Sequence, residues 1–199
     1  MLAVDVESSG TEAHKHSILS VGALDMENPD RTFYEECRAW EGAKIEDEAL
    51  AVNGFSREQA TDQKKQSEGD LVHKFIAWAL QAKDTTFSGQ NPSFDRDFLR
   101  AAAERAGHTA WPFAHRTIDS HSLAWMHMIK RGQNPPVDPE KKHSALNLDA
   151  ILIYCGIPEE PEPHNALTGA KSHAEVISRL LWDKKLLPGF EQYQIPWLS

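Results

Sequence analysis

The sequence has few cysteines, a deficit of basic residues and no long apolar run. Cys37 and Cys155 are the only cysteines among 199 residues, and neither belongs to a C-x-x-C pair. This usage argues against a disulfide-stapled secreted scaffold and favours two buried free thiols in a reducing, cytoplasmic compartment. No apolar stretch reaches 18 residues and the mean hydropathy is −0.53, so we expect no membrane span. The first ten residues lack a basic n-region, so we expect no signal peptide.

The charge balance is acidic. Thirty Asp and Glu residues against 21 Lys and Arg residues give a formal net charge of −9. Binding to nucleic-acid phosphates relies on Lys and Arg side chains that release counterions. Taken alone, the balance therefore argues against a nucleic-acid partner.

The length and the apolar pattern indicate one α/β domain over residues 1–199. The pattern predicts an antiparallel meander at the start of the chain, followed by alternating helices and strands. The predicted strands are 2–6, 17–24, 33–39, 85–88 and 116–119, and the predicted helices are 67–82, 94–106, one that follows 119, 146–155 and 166–181. Residues 132–143 are rich in Pro, Gly and charge, which fits a solvated connector or a basic flap near a substrate. This order favours helices packed on a central sheet.

Two carboxylates lie two residues apart on the first predicted strand. Asp5 and Glu7 therefore project to the same face of that strand. Like charges so close raise each other's pKa unless a cation lies between them, and paired carboxylate oxygens suit Mg²⁺ or Mn²⁺. The alternative is a solvated strand face or a turn, and this pair alone does not decide between them.

Two more residues stand at helix starts. Asp95 follows the turn at Asn91, where Asn91 is a candidate cap and Asp95 a candidate partner of the helix dipole. His164 follows the PEEPEP segment and precedes the last predicted helix, where an imidazole is accessible for proton transfer. Taken alone, Asp95 is explained by the helix dipole, and His164 by a structural or merely exposed position.

In chain order, three motifs resemble those of the DEDDh group of 3′ to 5′ exonucleases. The first is Asp5-Val6-Glu7-Ser8-Ser9-Gly10, the second is Asn91-Pro92-Ser93-Phe94-Asp95, and the third is His164-Asn165-Ala166-Leu167-Thr168-Gly169-Ala170. The resemblance covers nearly the whole chain. It implies a ribonuclease H-like α/β fold with a mixed five-stranded sheet, an antiparallel opening meander and helices on both faces.

The resemblance also implies a two-metal phosphodiester hydrolysis with Mg²⁺ or Mn²⁺. Asp5 would bridge both cations, Glu7 would complete the first site, Asp95 would hold the second cation through water, and His164 would be the general base. The partner would be a single-stranded nucleic-acid 3′ end, and the product a nucleoside 5′-monophosphate. Residues expected to bind the substrate are Ser8, Ser9, Gly10, Asn91 and Phe94.

The sequence departs from the family at Gly169, where the family has its fourth metal-binding carboxylate. Three explanations fit: an engineered inactivating change, a natural member with lost or weakened catalysis, and a variant in which another residue replaces the acid. At about 100° per residue, His173 lies about 40° from the Gly169 direction and Glu175 about 240° away. His173 is therefore the candidate replacement and would favour Mn²⁺; its alternative is a solvated helical residue.

The alternative function is a weakened or inactive member that binds 3′ ends or a protein partner. The choice between DNA and RNA, the oligomeric state, the pathway and the source are not readable from the sequence.

Overall fold

The computed structural model describes residues 1–198, which form a mixed five-stranded sheet covered by helices on both faces. The strands are β1 (Leu2–Ser8), β2 (Ile18–Asp25), β3 (Asn28–Glu36), β4 (Phe87–Gly89) and β5 (Thr117–Asp119). The helices are α1 (Asp47–Asn53), α2 (Arg57–Ala60), α3 (Glu68–Ala79), α4 (Pro92–Arg105), α5 (Ser120–Lys130), α6 (Leu148–Tyr154) and α7 (Ala166–Trp182), with 3₁₀ turns at Pro188–Phe190 and Pro196–Leu198. The predicted α/β architecture is confirmed.

The sheet has the strand order β3-β2-β1-β4-β5. β1 pairs antiparallel with β2 and parallel with β4, so the antiparallel meander meets the parallel half of the sheet at β1. The predicted third strand, 33–39, was misplaced: β3 begins at Asn28, directly opposite Asp25. The reversal at Met26 and Glu27 is tight and lacks the Asn-Gly or Asp-Gly signal, and Pro29 is tolerated because β3 is an edge strand.

The alternation of β1 places its side chains in two different cores. Leu2, Val4 and Val6 pack into a cluster with α3 and α4, whereas Ala3 packs into a second cluster with α5, α6 and α7. Because successive strand residues point to opposite faces, Asp5 and Glu7 share the face of Ala3. The two acids therefore lie on the α7 side of the sheet.

The long helices follow the sequence pattern closely. The predicted start at Ser67 is a capping box, in which the Ser67 side chain and the Asp70 side chain each accept from the other residue's backbone N–H. The short helices α1 and α2 were missed, because seven and four residues are too few to show a helical period. No helix within residues 1–198 has the length and apolar character needed to cross a membrane.

Helix α7 approaches β2 without a side chain between them. A Cβ placed on Gly22 would lie 2.0 Å from the Ala166 carbonyl oxygen, so only glycine allows this contact. Since β1 lies beside β2, the close contact brings the first turn of α7 next to the acidic face of β1.

A buried ion pair ties the C-terminal segment to α7. Arg179 and Glu175 are both fully buried, and Arg179 Nε donates to Glu175 Oε1 at 2.8 Å. The guanidinium also donates to four backbone carbonyls, those of Cys155, Phe190, Tyr193 and Gln194. Glu175 Oε2 accepts from the backbone N–H groups of Leu186 and Leu187, each at 2.9 Å. Every strong polar group of this buried pair therefore has a partner.

Candidate active site

A cavity of about 320 Å³ opens where β1, α4 and the start of α7 meet. Its polar lining consists of Asp5, Glu7, Gln90, Asn91, Asp95, Asn147, Asp149, Glu160, His164 and His173, with Phe94 and Leu148 among its apolar residues. The structure thus brings together the four residues predicted to carry the chemistry, Asp5, Glu7, Asp95 and His164. No lysine or arginine of residues 1–198 lines this cavity.

Asp95 is held in the first turn of α4. Its side chain is 3% exposed, and its Oδ1 accepts a 2.9 Å hydrogen bond from the backbone N–H of Val6. Asn91 occupies the N-cap position but makes no side-chain cap, so the predicted capping bond is wrong; its backbone is left-handed (φ 50°) and its N–H donates to Asp119. The bond to Val6 fixes Asp95 against β1, beside Asp5 and Glu7.

The acids of the cavity repel one another and are poorly hydrated. Burial, followed by the charges of Asp95, Glu7 and Glu160, raises the pKa of Asp5 well above its usual range. Burial raises the pKa of Glu7, and burial with the Glu7 charge raises the pKa of Asp95 to about 8. Without a cation, the cavity therefore holds carboxyl groups whose ionised form is disfavoured.

His164 lies across the cavity from α4. Its backbone N–H donates to the Val52 carbonyl at 3.1 Å, which ties the start of the third motif to α1. Gly54 lets this segment approach, because a Cβ there would lie 2.6 Å from the Pro163 side chain. The His164 imidazole interacts favourably with the Glu7 carboxylate, whose pKa it lowers. An imidazole beside an acid is suited to accept a proton from water.

His173 is a buried residue of the cavity wall. It is 2% exposed, and its Nδ1 lies 3.2 Å from the Val4 carbonyl oxygen. Burial lowers the pKa of His173 to about 4, so the ring is neutral at pH 7 and carries its proton on Nδ1. Nε2 then has a free lone pair and no hydrogen-bond partner among residues 1–198. The alternative of a solvated helical residue is wrong.

The turn after β1 is built from internal hydrogen bonds. Ser8 Oγ donates to the Gly10 carbonyl, and the fully buried Ser9 donates to the Lys44 carbonyl. A Cβ on Gly10 would lie 2.4 Å from the His16 ring. Asn53 Nδ2 donates to the Ser8 carbonyl at 3.0 Å, which holds the turn from α1. The hydroxyls of Ser8 and Ser9 thus have structural partners, and a substrate role for this turn stays a prediction.

Comparison with known proteins identifies the family. The RNase T family model, described as exonuclease, matches residues 2–177. The chain belongs to this exonuclease family. The resemblance to DEDDh exonucleases, drawn from three short motifs, is thereby confirmed.

Individual relatives of this exonuclease are distant. Ribonuclease T of Yersinia pestis is 29% identical over 177 residues, which cover 77% of this chain and 82% of the relative. Ribonuclease T of Klebsiella pneumoniae is 29% identical over 181 residues, which cover 78% of this chain and 83% of the relative.

Solved structures share the exonuclease fold. Exonuclease I of E. coli, in complex with a dA16 oligonucleotide, has a TM-score of 0.70 at 16% identity over 92% of this chain. The chain spans only 41% of that protein's length. The nuclease domain of 3′hExo, a DEDDh family member bound to rAMP, has a TM-score of 0.66 at 20% identity, covering 94% of this exonuclease and 93% of that domain. The predicted fold is confirmed by both likenesses.

Gly169 lies directly under the Asp5 carboxylate in this exonuclease. A Cβ on Gly169 would lie 2.2 Å from Asp5 Oδ2 and 2.7 Å from its Cγ. The Asp5 side chain therefore occupies the space that a side chain at position 169 would need. The orientation of Asp5 in this structure therefore depends on glycine at position 169.

Three residues of this exonuclease site escaped the sequence interpretation. Glu160 and Asp149 line the cavity, and Asn53 holds the first-motif turn. Glu160 lies in the PEEPEP segment before His164, and no role was assigned to that segment. No pattern marked the side chain of Asn53 or Asp149 as pointing inward.

The donor chemistry of the site fits a divalent cation. Carboxylate oxygens surround one cavity, and a buried Glu160 Oε1 has no hydrogen-bond partner among residues 1–198. Hard oxygen donors of this kind are the ligands of divalent cations in proteins. In the described part of the chain, no three His, Cys, Asp or Glu side chains are already grouped around one point as a formed cluster. The fit therefore rests on the donors and their shared cavity.

Proposed function

We propose that this chain is a divalent-metal-dependent 3′ to 5′ exonuclease that removes nucleoside 5′-monophosphates from single-stranded DNA or RNA. One observation carries the proposal: the family match over residues 2–177 coincides with Asp5, Glu7, Asp95 and His164 around one cavity. The names of the relatives and neighbours support it, since they include ribonuclease T and oligonucleotide-bound exonuclease I. We also propose that residues 1–199 form one domain and act in the cytoplasm, where free thiols such as the buried Cys37 and Cys155 persist.

Two cations, Mg²⁺ or Mn²⁺, would be held by Asp5, Glu7 and Asp95, with His173 as a further donor. When bound, such cations supply an activated water and stabilise the leaving 3′ oxygen. The neutral imidazole of His173 has its lone pair on Nε2, and its Nδ1–H is held by Val4, as is usual for a histidine ligand. Imidazole favours Mn²⁺, so we expect Mn²⁺ to support turnover better than Mg²⁺.

Proton transfer and substrate binding would be carried out by side chains and backbone groups of the protein. His164 takes the proton of the attacking water on its imidazole, and Asp95 is kept in position by its bond to Val6. Phe94 lines the cavity and would supply a ring for a terminal base, since base stacking contributes about 1–3 kcal/mol. Asn91 lies beside it with an exposed side chain. Contacts from Ser8, Ser9 and Gly10 would come through their backbone.

End-labelled strands test this function. With a 5′-labelled single strand and Mn²⁺ we expect a ladder of stepwise shorter products, and with a 3′-labelled strand immediate release of labelled mononucleotide. Asp5→Ala should abolish both, and DNA and RNA strands of one sequence compared side by side would show the preferred sugar. Release of mononucleotide from the 5′ end, or shortening that persists in Asp5→Ala, would contradict the proposal.

Gly169 favours a second candidate, a member that binds 3′ ends or a protein partner without cutting them. In that case neither metal gives turnover, while a 3′ end or a partner still binds. Recovery of turnover in Gly169→Asp would instead show that the glycine itself had inactivated the enzyme.

A further inference from the structure

Glu160 is a carboxylate of the cavity that the three motifs do not contain. It lies in the segment between α6 and α7, and its backbone N–H lies 3.4 Å from Asp149 Oδ1. The segment is also held at its far end, where the His164 N–H donates to Val52. These contacts place Glu160 in the same cavity wall as Asp5, Glu7 and His164.

One oxygen of the half-buried Glu160 side chain lacks a partner. Its Oε1 is buried and accepts no hydrogen bond within residues 1–198. A buried carboxylate oxygen without a partner is costly. Burial is the main cause that raises the pKa of Glu160 to about 7; the charges of Glu7 and Asp149 raise it further, and His164 acts in the opposite direction. Two acids and one histidine do not balance its charge.

A second, independent observation marks the cavity as a ligand site. His173 is only 2% exposed and lines the same cavity. Its Nδ1 lies next to the Val4 carbonyl, and its Nε2 has no hydrogen-bond partner in the described chain. A buried imidazole fixed through its other nitrogen is the usual state of a metal ligand. Glu160 and His173 thus each bring an atom able to bind a cation to the lining of one cavity.

His173 and Glu160 differ in the charge that each brings to the site. Gly169 removes one negative charge relative to four-carboxylate members of the family. The imidazole of His173 can replace a donor atom but brings no negative charge. Glu160 supplies a carboxylate, and its electrostatic effect reaches Asp5, the acid that lies above Gly169. Asp149, the other additional acid, already has the Glu160 N–H near its Oδ1.

We propose that Glu160 replaces the acid missing at position 169 and donates its carboxylate to the divalent cation at Glu7 and Asp5. The inference rests on the proposed function. It explains why a carboxylate is retained in a place where the protein alone leaves it unpartnered.

Mn²⁺ affinity, measured by electron paramagnetic resonance, tests the role of Glu160 directly. Glu160→Gln keeps the shape and removes the charge, and we expect it to weaken Mn²⁺ binding by about tenfold or more. Glu159→Gln is the matched control, because Glu159 is the adjacent, exposed acid and its loss should leave the affinity unchanged. Thermal unfolding in chelator should show Glu160→Gln at least as stable as the wild type, since a buried charge has been removed.

A conservative variant tests the need for the carboxylate itself. Glu160→Asp keeps the negative charge at this position, so it should retain more Mn²⁺ affinity than Glu160→Gln. Wild-type affinity in Glu160→Gln would overturn the inference and leave the proposed nuclease activity untouched. A wild-type protein that neither binds Mn²⁺ nor shortens a strand would overturn the proposed function, and with it this inference.

Discussion

At the scale of single residues, the contact between Gly169 and Asp5 controls the site. The Asp5 carboxylate lies where a Cβ at position 169 would be, at 2.2 Å from Oδ2. Any side chain at this position must turn Asp5. The glycine thus determines the direction of a carboxylate as well as the number of carboxylates.

Gly169→Ala should separate stability from activity. Alanine is favoured over glycine in a helix by about 0.5–1 kcal/mol, so the melting temperature should not fall. The methyl group displaces the Asp5 carboxylate, and a misplacement of this size costs about 100-fold in turnover. Steady-state kinetics measures the turnover, and thermal unfolding measures the melting temperature. Gly189→Ala, where the added carbon meets no atom within 4 Å, is the control and should change neither.

Asp95 predicts a pH dependence of stability in the metal-free protein. Its pKa is raised to about 8 when folded, so the folded state holds a proton that the unfolded state has lost above its pKa of roughly 4. Stability from this group is present at low pH and is lost as the pH rises through about 8.

Thermal unfolding in chelator between pH 6 and 8.5 measures this effect. The wild type should lose stability relative to Asp95→Asn as the pH rises, and Mn²⁺ should diminish the difference. Parallel pH profiles of the two proteins would contradict the assignment.

At the scale of secondary-structure elements, α7 is held at two points along its length. Its first turn packs on Gly22 of β2, and its middle carries the buried pair of Glu175 and Arg179. The helix therefore cannot shift without breaking contacts at the sheet or at the C-terminal segment. Gly169 and His173 lie between these two points.

Arg179→Met should destabilise the fold strongly. It leaves the Glu175 carboxylate buried without its cation and frees four carbonyls, which we expect to cost about 3–5 kcal/mol. Arg100→Met is the matched control: Arg100 likewise pairs with a glutamate at a spacing of four residues, Glu104, but both side chains are exposed. That pair should contribute about 0.5 kcal/mol or less. Urea unfolding compares the two, and equal losses would contradict the role given to burial.

The elements differ in how well the sequence predicts them. The bounds of α4 and α7 lie within two residues of the prediction, because long amphipathic periods and a clear start define them. β3 was displaced because a tight turn without glycine carries no local signal. α1 was missed because its seven residues derive their stability from tertiary contacts.

At the scale of the whole molecule, the net charge of −9 limits how the protein can bind a nucleic acid. The cavity is lined by acids and, within residues 1–198, by no lysine or arginine. Binding of a strand therefore depends on bound cations and a few direct contacts.

The salt dependence of strand binding should accordingly be weak. For one or two phosphate contacts, log Kd should rise with log [KCl] with a slope of about 1, since each contact contributes about 0.7 on single strands. Fluorescence anisotropy in Ca²⁺ with a short labelled strand measures it. A slope near 4 would instead indicate a basic track, for which residues 130–143 are the candidate.

The candidate site was predictable in part, for a physical reason. Asp5, Glu7, Asp95 and His164 stand in motifs whose local structure already fixes them, a strand or a helix start. Glu160 stands in a segment without regular structure, and only the folding of that segment over β1 brings it near Glu7. Sequence motifs thus identify residues on regular elements and pass over those that a loop contributes.

The bonds from Glu175 to the chain after α7 have a consequence for amide exchange. Residues 183–187 contain no helix or strand, yet the N–H groups of Leu186 and Leu187 end on a fully buried carboxylate. They can exchange with solvent only when their bonds to Glu175 Oε2 break, and Arg179 holds that carboxylate in place through Oε1. In deuterated buffer these two amides should exchange as slowly as those of the central strand β1, which would mark the C-terminal segment as part of the same cooperative unit as the sheet.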